Sequence, residues 1–138
     1  MKIYSIELAV FNPNEEQYQP GYIPGGDILL ALMNTKFFPI FYGAVCIEED
    51  GEGRKTVTGR IREQCTYSEI IGFELSEENL TITKIYRDRF NKPIVEYIFS
   101  NRIDGIWKGM MRSSNGESKV SNCKITEIPP SFFEPIVL

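Results

Sequence analysis

Apolar and polar side chains alternate with period two along most of this chain, the pattern of strands with one face in a core. In KIYSIELAVF, residues 2–11, Tyr4, Ile6, Leu8 and Val10 share a face, with Ser5 and Glu7 off it. IFYGAVCIEE is an apolar run rich in β formers. KTVTGRIREQC sets Val57, Gly59 and Ile61 against Thr56, Thr58, Arg60 and Arg62, and EIIGFEL follows. LTITKIYRD alternates Leu80, Ile82 and Tyr86 against Thr81, Thr83 and Arg87, and PIVEYIFS puts Val95, Tyr97 and Phe99 on one face. GIWKGMMRS and SKVSNCKITEI complete the set before Pro129 and Pro130. DGEG, SEEN, RFNKP, NRIDG and SNGE lie between these runs as turn signals, and the Asp-Gly and Asn-Gly pairs favour hairpins. The pattern therefore predicts eight strands.

One run departs from it. Asp27 follows a glycine pair and can cap a helix, and DILLALMNTKFF then supplies helix formers until Pro39 stops them. A short helix is expected between the first and second strands. Before it, NPNEEQYQPGYIPGG carries three prolines and three glycines and reads as a long loop over 12–26.

Consecutive strands joined by short turns pair with their neighbours. Eight of them in one sheet leave two unpaired edges, and closure into a barrel removes both. The expected fold is mainly β: an eight-stranded antiparallel meander, closed or nearly closed into a barrel, in one domain over 1–138. Such a barrel is filled by side chains or holds one small ligand. In GIWKG, period two places Gly105, Trp107 and Gly109 on one face. The glycines would leave room for the indole to lie flat and point inward.

The stretch GFELSEENLTITKIYRDRFNKPIVEYIFSNRIDGIWKG, with the helix between strands one and two, resembles the calycin-type barrels: lipocalins, fatty-acid-binding proteins and avidins. The resemblance implies a barrel that binds one ligand, with the helix as a lid. In lipocalins and avidins a Gly-x-Trp motif lies on the first strand, whereas here it lies on the seventh. No binding residue is carried over from those families.

Composition narrows the chemistry. With 138 residues, 42% hydrophobic and 25% charged, the chain suits one globular core. The net charge of -4 argues against a nucleic-acid partner, which calls for clustered Lys and Arg. No apolar run reaches the ~20 residues of a membrane-spanning helix, and no export signal is evident, so a cytoplasmic location is expected. Three cysteines at unpatterned spacing read as reduced thiols. There is no histidine, which removes Ser-His-Asp and Cys-His catalysis and His-ligated zinc. The acidic run 48–52 lacks the alternating ligand spacing of a calcium loop. Neither a metal nor another cofactor is expected, and no catalytic residue is assigned.

Trp107, Tyr86, Tyr97, Lys84 and Phe73 are the candidate ligand-binding residues. Trp107 would form a pocket floor or fill the core. Tyr86 and Tyr97, on neighbouring strands, would offer hydroxyls or straddle core and surface. Lys84 shares a face with Leu80, Ile82 and Tyr86. Pointing inward, it would be a buried cation in need of a carboxylate, and Glu63, on the Val57/Ile61 face, is placed to supply one. Pointing past a barrel end, it would reach water.

The expected function is that of a non-catalytic barrel binding a small, partly apolar ligand. The alternatives are a protein-binding module using the 12–26 loop and the Phe132/Phe133 tail, and an enzyme working without histidine. Circular dichroism should show a β-dominated spectrum. A helix content above about a third, the globular average, would contradict the strand assignment.

Overall fold

A computed structural model describes residues 1–11, 39–87 and 93–129. Eight strands run in chain order: β1 (Lys2–Phe11), β2 (Phe41–Glu49), β3 (Lys55–Arg62), β4 (Tyr67–Leu75), β5 (Leu80–Ile85), β6 (Val95–Ile103), β7 (Ile106–Ser113) and β8 (Ser118–Ile128). Each pairs antiparallel with the next, and β8 returns to β1, closing the barrel. The closing seam runs from Ile3 opposite Ile128 to Phe11 opposite Val120. No helix occurs among the described residues. The helix expected over 27–38, the loop over 12–26 and the Phe132/Phe133 tail lie outside them. No described helix is long and apolar enough to cross a membrane.

The alternation read from the sequence is the inside–outside alternation of the barrel wall. Tyr4, Ile6 and Leu8 of β1, Ile61 of β3, Leu80 and Ile82 of β5, and Val95, Tyr97 and Phe99 of β6 are buried in one cluster. Two irregularities shift the phase. In β4 the pairing with β5 slips between Ile70 and Gly72, so the inward residues Ile70 and Phe73 lie three apart. In β6 the pairing with β7 slips between Phe99 and Asn101. Such bulges bend a strand and sharpen its twist, which helps a sheet close.

Trp107 is 1% exposed, inside the barrel, opposite Cys123 on β8. The Arg102 guanidinium lies over the indole at 5.1 Å. The two flanking glycines, however, do not make room for it. Gly105 belongs to the turn between β6 and β7, where Asp104 and Gly105 both have positive φ (53° and 79°). That is the Asp-Gly hairpin geometry, and only a residue without Cβ adopts it freely. Gly109 faces the β6 backbone at its bulge. A Cβ there would overlap the Ile98 carbonyl and come within 2.7 Å of the Phe99 Cα. The vacant side chain admits a neighbouring strand, not the indole.

The DGEG hairpin also differs from the sequence expectation. Its positive φ falls on Gly53, not on the residue after Asp50. The Asp50 carboxylate accepts from the Glu52 and Arg54 amides and holds the wider loop. Those bonds keep the Asp50 carboxyl below its usual range.

Trp107→Ala should cost about 3–5 kcal/mol, the range for deleting a large buried aromatic. Gly109→Ala should cost about 3 kcal/mol, because backbone must part. Gly105→Ala should cost only ~1 kcal/mol, for one left-handed residue. Chemical denaturation monitored by Trp107 emission would test the ranking of the glycine pair, and circular dichroism would follow Trp107→Ala.

Candidate functional site

Three inward positions converge where β3 and β5 end and β6 begins. Lys84 is the fifth residue of β5, and period two puts it on the same face as Leu80 and Ile82. Its side chain is 2% exposed. Tyr86, two residues on, continues that face. Glu63 continues the Ile61 face just beyond β3, where its amide donates to the Thr66 carbonyl at 2.8 Å.

The Lys84 Nζ donates to Glu63 Oε2 at 3.2 Å, and the Tyr86 hydroxyl donates to Glu63 Oε1 at 2.7 Å. Both carboxylate oxygens are thus engaged. Aromatic faces surround the ammonium, with Phe41, Tyr97 and Tyr86 at 4.9, 5.1 and 5.3 Å from ring centroid to Nζ. Ring faces carry partial negative charge and replace part of the hydration that burial removes. Burial still dominates: it lowers the Lys84 pKa, and the Glu63 charge and hydrogen bond oppose it. Burial likewise raises the Tyr97 phenol and the Cys123 thiol, so both stay neutral at physiological pH.

These groups line a pocket of about 230 Å³. Val10, Phe41, Val95 and Met111 form apolar walls, while Glu117 and Lys119, paired at 3.0 Å, stand at the mouth. The volume equals about seven or eight water molecules at ~30 Å³ each. That is below the ~300–1,000 Å³ of pockets for drug-sized ligands.

Of the five residues singled out from the sequence, Lys84, Tyr86 and Tyr97 meet at this pocket. Trp107 and Phe73 do not line it. Trp107 is four residues before Met111 on β7, about 13 Å along the strand at ~3.3 Å per residue. Phe73 stacks on Tyr4, with centroids 5.4 Å apart, within the core. Both are packing residues of the interior. Glu63 was legible as the partner of Lys84 by strand parity. Phe41 and Met111 carried no signal beyond being apolar, and the Glu117–Lys119 mouth belongs to a hairpin whose placement depends on closure.

The thiols of Cys46, Cys65 and Cys123 are free. No cluster of three or more metal-ligating side chains occurs among the described residues. Comparison with known protein families, with curated proteins and with solved structures gives no match to this chain.

Glu63→Gln should cost about 3 kcal/mol, the low end for breaking a buried pair, because Lys84 can shed its proton. Lys84→Met combined with Glu63→Gln should recover most of that loss. The sign with pH follows from the lowered Lys84 pKa. As pH rises, the folded state releases the Lys84 proton before the unfolded chain does at 10.5, which favours folding. The Glu63→Gln deficit should therefore shrink as pH rises towards 10.5. Urea unfolding at several pH values would check this, and a deficit that grew with pH would contradict it.

Proposed function

We propose that this chain is a non-catalytic β-barrel binding protein that takes a small, partly apolar ligand. The single observation behind this reading is a desolvated Lys84–Glu63–Tyr86 cluster at a pocket with apolar walls. Burying an ion pair costs several kcal/mol per ion before its attraction offsets the loss, and an apolar replacement is often more stable. A fold that needed only a packed core would do better with a hydrocarbon here. Apolar walls carrying a few placed polar groups are the usual lining of a ligand site. The barrel is compatible with the calycin likeness, in which one molecule is held within the strands.

Catalysis finds less support. Glu63 is engaged on both oxygens, and Glu117 pairs with Lys119 at the mouth. Both carboxylates among the described residues that line the pocket are thus already paired, which leaves neither poised as a free acid or base. The protein-partner reading relies on the 12–26 loop and the tail, which lie outside the described residues.

Native mass spectrometry of protein purified gently from its own cells should reveal a non-covalent small-molecule adduct. Val95→Trp, which fills the pocket, should lose that adduct and keep a cooperative unfolding transition. Persistence of the adduct in Val95→Trp, or a wild-type protein that is always bare, would count against the proposal.

A further inference from the structure

The geometry points to an uncharged carbonyl compound as the ligand class, its oxygen accepting hydrogen bonds from Tyr97 and Lys84. This inference rests on the binding-protein reading above and adds the head group.

Tyr97 is 1% exposed and lines the pocket, yet no hydrogen bond joins its hydroxyl to any described residue. Its oxygen is not sealed in the core, where Asn122 Oδ1 is the one side-chain atom buried without a partner among the described residues, and so it opens on the pocket. Burial keeps it protonated, so it remains a donor. The Lys84 ammonium has three N–H donors and no acceptor. One points to Glu63, and the aromatic rings around Nζ offer only weak acceptance to the others. Two donors without strong acceptors therefore line one pocket, with the Tyr97 ring centroid 5.1 Å from Nζ. A carbonyl oxygen, with two lone pairs, can accept from both.

Charge selects among acceptors. Glu63 already balances Lys84, and Glu117 balances Lys119 at the mouth, so the described lining residues carry no net charge. A carboxylate head beside Lys84 would also lie beside the Glu63 carboxylate, and like charges at that range repel strongly. An ammonium head would meet Lys84. A ketone, ester or amide meets neither penalty. Val10, Phe41, Val95 and Met111 suit a short hydrocarbon body, and the volume of about 230 Å³ limits its length.

The test compares three matched probes, methyl propyl ketone, butanoate and butylammonium, by NMR titration of the full chain with labelled Tyr97 and Lys84 side chains. The ketone should shift these resonances and bind at least tenfold more tightly than either ion. Tyr97→Phe, which keeps the ring and removes the hydroxyl, should weaken ketone binding at least fivefold. Its Trp107 emission should match wild type, showing that the fold persists. Tighter binding of butanoate or butylammonium would overturn the uncharged head group while leaving the binding-protein reading in place. Unchanged ketone affinity in Tyr97→Phe would overturn the role of that hydroxyl. Absence of shifts from all three probes would overturn both readings together.

Discussion

The pairing of β8 with β1 is the constraint on which the other features depend. Without it, an eight-stranded meander has two edges and two faces that both meet water or another layer. With it, the two edge strands pair with each other from Ile3 to Phe11, and one face of every strand becomes an enclosed interior. That interior has a fixed size, set by strand number and tilt. Large side chains such as Trp107, Tyr97 and Phe99 can all be buried because the wall curves around them from every side. The same closure explains the two bulges. A flat sheet does not close, and the slips at Ile70/Gly72 and Phe99/Asn101 bend the wall where β4 and β6 must turn.

Closure also creates the most demanding group in the molecule. Parity along β5 carries Lys84 inside with Leu80 and Ile82, where its side chain is almost wholly withdrawn from water. Its charge is met from across the interior, by a carboxylate 21 residues earlier in the chain and by three aromatic faces. Several kcal/mol of desolvation are thereby concentrated at one end of the barrel. The remaining interior, from Ile6 and Ile61 to Phe99 and Trp107, is hydrocarbon apart from tyrosine hydroxyls, the Cys123 thiol and a few small polar groups. The contrast is between an apolar body and a polar end that holds a pocket of about 230 Å³.

Glycine has two roles in the wall, and the stretch DGIWKG contains both. Gly105 supplies a backbone conformation that side chains resist, while Gly109 supplies an absence where two backbones meet. Neither role concerns the tryptophan between them. The indole is placed by strand parity alone, and its neighbours are Cys123 on the next strand and the Arg102 guanidinium above it.

The sequence by itself determined the strand count, their order and which face of each strand is apolar. Those properties are local: period-two patterning and turn chemistry act over a few residues and need no partner. It also determined that Lys84 and Glu63 could meet, since both lie on inward faces, but left open whether Lys84 would end in the core or past a rim. Only the tertiary structure decided that, because the answer depends on how far each strand is shifted against its neighbour around a closed wall. The same shift placed Tyr97 and Tyr86 beside Lys84 and left Trp107 and Phe73 in the packed body. The bulges were illegible for a related reason: an extra residue changes parity midway through a strand, and alternation in sequence alone does not show which partner it faces. The reason for Gly109 lay equally out of reach, since the atom that excludes a Cβ there belongs to Ile98 on another strand.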